Sequence, residues 1–243
     1  MAAGDTAGLA APGAEPLFPP RLYGERAASG AEVMTRAVSR ASVGIDPGLV
    51  VWHAGPDRLN AAVVLAPERP LGEAAGVVLA VACALADALG ALAPPEVSVH
   101  FDWPGGLRVN GALAGELRAE AATDDPAAEP DWLVVAFAVD FLPTAEPRGG
   151  DETTGLYAEG CGEITPVGLL ESATRHMLVW LNRFEEEGFA PIHRDWTARA
   201  WRLGEALPGG GTFLGLDEHG GRLVREGATT RLDPLTSILG GGA

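Results

Sequence analysis

Hydrophobic and polar positions mark out most of the chain's elements. LVVWHA (49–54) and AAVVLAP (61–67) are short apolar runs, the second closed by Pro67, and both read as strands. From about 73 to 91 the chain is almost wholly Ala, Val and Leu, stopped by Pro94-Pro95, which predicts one long buried helix. VSVHFDW (97–103) returns to alternation with β-branched residues. Trp103-Pro104-Gly105-Gly106 has proline second and glycine third, which predicts a type II turn, and Asn110-Gly111 predicts a tight hairpin. LAGELRAEA (113–121) follows, then the acidic loop TDDPAAEPD. WLVVAFAVDF (132–141), apolar almost throughout, reads as a fully buried strand. Three or four antiparallel strands thus lie side by side, with the long helix before them.

The remaining pattern is helical, then β again. Ala31 to Ser42 has good helix formers and ends before Gly44. Thr165-Pro166 pairs an N-cap residue with proline at the first helical position. Leu170, Ala173, Met177, Leu181 and Phe184 then recur at three or four residues, one apolar face, until Gly188. A short helix is expected over 190–201. LFPPRLYGE (17–25) is extended, because proline excludes helix from the residue before it. The last forty residues read as short strands with turns at Asp217–Gly221 and Gly227-Ala228, a small antiparallel barrel or ribbon. A flexible leader (1–16), an α/β domain (17–203) and a C-terminal β module (204–243) are the expected divisions. TAEPRGGDETT (144–154) is expected to be a mobile loop.

Charge narrows the choice of partners. The 243 residues carry a formal net charge of −16, which disfavours phosphate backbones and anionic lipid surfaces. All 17 basic residues are arginine, so the chain has no lysine. Two cysteines, Cys83 and Cys161, make no disulfide framework. No basic segment precedes an apolar run at the N-terminus, and the apolar stretch 71–93 carries Glu73 and Asp87. A buried helix and a cytoplasmic location are therefore expected.

The order of these pieces resembles the catalytic domain of biotin and lipoate protein ligases. A long apolar helix leads to a strand ending in Trp103-Pro104, the Asn110-Gly111 hairpin, Leu113-Ala114-Gly115 and a buried strand. FEEEGFAPIHRDW (184–196), followed by FLGLDEHGGRLVREG (213–227), resembles the end of biotin protein ligases. The resemblance covers roughly 30–239. It implies an α/β (α+β) fold, a mixed sheet flanked by helices with a small C-terminal β module. It also implies biotin, lipoate or another acyl molecule as ligand, a carrier domain as partner, and self-association as a homodimer. ATP and Mg²⁺ are implied only if the ligase chemistry is kept. Carried onto this sequence, it places ligand against Trp103, Gly105, Asn110, Gly115, Glu116, Arg118 and Asp140.

The charged residues of that pattern are absent. Family members read Lys-Trp-Pro-Asn-Asp where this chain has Asp102-Trp103-Pro104-Gly105-Gly106, and Lys-Leu-Ala-Gly where it has Ala112-Leu113-Ala114-Gly115. The Gly-Arg-Gly-Arg loop should lie between Trp52 and Ala61, where only eight residues and one arginine stand. The Ser-Thr-Asn start of the first helix is reduced to Ser29-Gly30-Ala31. Adenylation develops negative charge on phosphate oxygens, and cations or N–H donors must be aimed at it. Arg108 and Arg118 flank the hairpin and are the candidates to substitute; the alternative is two exposed arginines on a solvated face. Asp140 stands where the family's asparagine faces the ligand, suited to a hydrogen bond or to Mg²⁺, or else to a solvated strand end. Cys161, in GCGEITP before a helix start, is placed where a thiol can have a lowered pKa, or else is a small loop cysteine. It resembles the acyl-carrying cysteine of octanoyltransferases in the same superfamily, with His176 as a conceivable base. The histidines at 53, 100, 193 and 219 show no metal-ligand spacing. Three function classes follow: a binder with lost or weakened adenylation, an ATP-dependent ligase, and a Cys161 thioester acyltransferase.

Overall fold

The computed structural model describes residues 15–44, 46–143 and 152–239. Most of the leader and most of the 144–154 loop lie outside these residues. Seven strands form one mixed sheet in the order β1-β2-β3-β7-β6-β5-β4. They are β1 (Tyr23–Arg26), β2 (Leu49–Ala54), β3 (Arg58–Leu65), β4 (Val99–Asp102), β5 (Gly106–Val109), β6 (Ala112–Ala121) and β7 (Leu133–Asp140). All neighbours are antiparallel except β1, which runs parallel to β2 at one edge.

Helices cover both faces, which explains why β7 is apolar at nearly every position. On one face α1 (Glu32–Ser42) packs Val33, Ala37 and Ala41 against Val51, Ala62, Val64 and Val134. On the other lie α2 (Leu71–Ala74), α3 (Val77–Leu92), α4 (Pro166–Glu187) and α5 (Ala190–Ala198). The expected single helix of 73–91 is therefore two, separated at Ala75-Gly76. A side chain on Gly76 would come within 2.9 Å of Phe189, so the bare backbone lets α5's lead residue close in. Leu71–Leu92 is long and apolar enough to cross a membrane, but 78% of that window is buried in the fold. Its one acid in α3, Asp87, accepts from Trp180 Nε1 at 2.8 Å and from Arg199 at 3.2 Å, tying three helices together.

The hairpin turn forms as expected, with Asn110 at φ +50° and Gly111 at +92°. The type II turn does not. The Trp103–Pro104 peptide is cis, and Gly105 is absent from the positive-φ residues. Glycine is needed at 105 for a different reason: a Cβ there would lie 2.5 Å from the Leu117 carbonyl oxygen.

The C-terminal residues form a three-stranded antiparallel meander, neither barrel nor isolated ribbon: β8 (Thr212–Leu216), β9 (Arg222–Glu226) and β10 (Thr229–Asp233). It docks on the larger domain. Trp103 Nε1 donates to the Gly220 carbonyl at 3.0 Å, and His193 Nε2 lies 3.1 Å from that of Leu216.

Candidate functional site

Strand periodicity gathers the site. Register pairs His53 with Asn60, Arg58 with Asp140, Asn60 and Glu116 with Ala138, and Arg118 with Ala136. Residues two apart on one strand share a face, so these side chains stand together beside the N-terminal end of α1. All of them but Asp140 line a cavity of about 540 Å³, with Gly30, Ala31 and Met34 on the helix side. Ala136 and Ala138 keep its floor low. Gly30 lets α1 approach closely, since a Cβ there would sit 2.4 Å from Asn60 Nδ2.

Electrostatics at this cavity centre on Arg58. Its guanidinium donates to Asp140 Oδ1 at 2.8 Å and to Glu116 Oε1 at 2.7 Å. Glu116 also accepts from Arg118 at 3.1 Å. Asp140 is fully buried. It is an internal counter-ion and not a solvated strand end, because β7's last residue is roofed by Leu156 N–H bonding to its carbonyl. The connection from β2 to β3 is only Gly55-Pro56-Asp57, closed by Gly55 N–H to Arg58 C=O at 3.0 Å. No loop can reach over the cavity from there, and the one arginine of the interval stands on a paired strand.

Other expected site residues lie elsewhere. Trp103 and Gly105 line a second cavity, at the seam with the C-terminal module. Asn110 is exposed and structural, accepting from Ser98 N–H at 3.0 Å and donating to Glu159 at 2.8 Å. Gly115 is buried in β6, where a Cβ would lie 2.5 Å from the Ala138 carbonyl. Ala112, at the lysine position, begins β6 opposite Val109. Arg108 is not on a solvated face. It is 3% exposed, with Nε 2.9 Å from Asp102 and its guanidinium over the Trp201 ring. Arg118 is exposed, at the rim of both cavities.

Cys161 does not have the expected environment. It is 1% exposed and borders neither cavity. Burial first, and the negative charge of Glu159 second, push its thiol up rather than down. No group of three or more His, Cys, Asp or Glu positioned for a metal occurs among the described residues.

Sequence reasoning missed His53, Asp57 and Asn60 as cavity residues, and passed over Arg58 as the remnant of a lost loop. Arg58 and Asn60 are two apart at the start of an apolar strand, an alternation that placed them on one face. Nothing local announced Asp140 as the partner, 82 residues away.

Comparison with known proteins fits this architecture. The biotin/lipoate A/B protein ligase family matches residues 18–198, and a domain of unknown function, DUF4444, matches residues 203–240. The chain is 26% identical over 201 residues to a biotin–[acetyl-CoA-carboxylase] ligase of Paracoccus denitrificans, covering 79% of this chain and 83% of that one. A biotin protein ligase-like protein of unknown function from Silicibacter sp. TM1040 is 46% identical in structural alignment. Its TM-score is 0.87 over 93% of this chain and 99% of that one. The biotin protein ligase of Aquifex aeolicus, 17% identical with a TM-score of 0.69 over 91% and 97% of the two chains, shares the fold. With residues 18–198, three quarters of its length, matched by the family model, the chain belongs to the biotin/lipoate A/B protein ligase family.

Proposed function

We propose that this protein is a ligand-binding member of the family, with adenylation lost or weakened. The sheet-face cavity takes biotin, lipoate or a related acyl molecule, free or on a carrier domain. One observation carries the reading: Arg58, a cation lining the cavity, is already bonded to two carboxylates, Asp140 and Glu116. ATP with Mg²⁺ would supply an activating adenylyl group, with pyrophosphate as the leaving group. The donor set here fits them poorly, because Arg58 is already paired with Asp140 and Glu116, and Asp57 adds a further carboxylate to the lining where phosphate charge would collect. Asn60 and the Arg58–Glu116 pair instead offer donors and acceptors to a neutral polar head, and Met34 and Val33 offer apolar wall to a chain. The same reasoning disfavours Cys161 transfer chemistry, since thiolate is the reactive form and burial opposes it.

The test is thermal unfolding with biotin, lipoate, octanoyl-CoA, ATP·Mg²⁺ and a biotinyl-AMP analogue, together with ATP–pyrophosphate exchange. A binder is stabilised by a free acid, by about 2.7 kcal/mol at ligand one hundred times its Kd, with no exchange. A larger shift with the acyl-adenylate analogue and measurable exchange would establish an active ligase instead. Acyl transfer from octanoyl-CoA that disappears in Cys161→Ser would establish the transferase. No shift with any compound would remove the small-molecule reading.

A further inference from the structure

A third cavity, about 560 Å³, opens where β2 begins and β3 ends, on the sheet face that α4 covers. It shares no lining residue with the sheet-face cavity. Strand β3 reaches both, with Arg58 in one and Leu65 in the other, and seven steps of about 3.3 Å separate them. Leu178, Leu181, Asn182 and Glu185 fall at three- and four-residue steps, so one flank of α4 forms a wall. Leu22 and Leu65 add apolar surface from the sheet side. Leu65, Leu178 and Leu181 are only half-buried, and Val179, also in the lining, is 57% exposed. Apolar side chains left open to water on a concave surface suit a hydrocarbon chain.

The charged groups of this lining differ in what they are already doing. Glu185 accepts from Arg69 at 2.9 Å, and Arg183 donates to Glu187 at 3.2 Å and lies over the Trp180 ring. Arg21 has no side-chain hydrogen bond, ion pair or ring contact among the described residues. It stands third in the turn Pro19–Leu22, closed by Leu22 N–H to the Pro19 carbonyl at 3.1 Å. Its φ is +76°, where glycine or asparagine is usual and an arginine is strained. Gly48, at φ +97°, lets this turn lie against the start of β2, since a Cβ there would overlap the Arg21 carbonyl oxygen. A fixed turn thus presents an uncommitted guanidinium to an apolar cavity, on a chain of net charge −16. Asn182 supplies an amide donor from α4.

We infer that this cavity binds a linear monocarboxylate of the fatty-acid class. The hydrocarbon lies against Leu22, Leu65, Leu178 and Leu181, and the carboxylate on Arg21 and Asn182. One guanidinium offers two parallel N–H donors, which match the two oxygens of one carboxylate. The cavity volume is that of a small-molecule pocket. The site is separate from the sheet-face cavity and does not depend on what that cavity takes.

Decanoate is the direct probe, titrated calorimetrically into the full chain, with acetate as the head without a chain and 1,2-decanediol as the chain without a charge. Saturable decanoate binding is expected, and no saturable heat from acetate. The diol should bind about fivefold or more weakly than decanoate, and decanoate should lose at least as much in Arg21→Gln and in Val179→Asp, which sets a carboxylate in the lining. Val179 is exposed and the Arg21 side chain makes no bond, so both variants should unfold at the wild-type temperature without ligand. Absence of saturable decanoate binding, or equal affinity for the diol, would overturn the inference. So would unchanged decanoate affinity in either variant, which would put the bound acid elsewhere on the chain. Biotin titrated in parallel should bind Arg21→Gln as it binds the wild type, so this inference and the sheet-face reading fail separately.

Discussion

At the scale of single residues, the buried Asp140 decides how the site tolerates change. Arg58 is a cation it bonds, and breaking a buried pair from one side typically costs about 3–5 kcal/mol. Arg58→Ala is therefore expected to destabilise the protein by about 3 kcal/mol in urea unfolding, and adding Asp140→Ala should restore part of that loss. A single change costlier than the double is the signature of the pair. The thiols give a second expectation. Burial raises both Cys83 and Cys161, so an aromatic disulfide reagent at pH 8 should label the native protein slowly and the urea-unfolded protein at once. Fast native labelling would contradict the buried placement of Cys161. Residue types at the site were legible in the sequence: the lost lysines, the single arginine between Trp52 and Ala61, the aspartate ending β7. Their pairing was not, because a salt bridge between strands 82 residues apart leaves no local pattern.

At the scale of elements, two joints carry measurable energy. Thr165 caps α4, its hydroxyl accepting from Gly168 N–H at 3.0 Å. Thr165→Ala should cost about 1 kcal/mol, read by the same urea titration. Edge strand β1 is held to α1 by Glu25, which accepts from Arg40 at 2.9 Å and Arg36 at 3.0 Å. Those bonds, Arg40 foremost, hold the Glu25 carboxyl below its ordinary value of 4.5. A depressed folded value means stability that is present above pH 4.5 and lost as pH falls below it. The stability difference between wild type and Glu25→Gln should accordingly shrink on acidification from pH 6 to pH 3, and a constant difference would count against the clamp. The helices and central strands were legible because their periods are strong. β1 was legible only as part of the extended stretch 17–25: its residues, three of four exposed, carry no apolar alternation, and their parallel pairing with β2 is set by tertiary contact. The turn at Trp103 misled for a similar reason. Pro-Gly-Gly satisfies the rule for one turn type, while the glycine at 105 is required by the close approach of Leu117 C=O, which is invisible in the sequence.

For the whole molecule, the docking of the C-terminal module is the large-scale joint. Gly220 sits at its centre with φ +85°, and a Cβ there would lie 2.9 Å from Leu235 and 3.0 Å from both Leu79 and Phe189. Gly220→Ala should thus loosen the module, lowering stability by about 1–3 kcal/mol and shifting the fluorescence of Trp103, whose indole bonds the Gly220 carbonyl. The effect on fluorescence should vanish in a Trp103→Phe background.

The three-residue connection between β2 and β3 has a kinetic meaning as well. With Arg58 and Asn60 fixed in a paired strand, the part of the sheet-face cavity that they form is in place before any ligand arrives. Nothing in that segment must fold on binding, so uptake carries no ordering entropy there. Observed association rates should rise linearly with ligand concentration without levelling off, and the heat-capacity change should stay at what the ligand's own buried apolar surface accounts for.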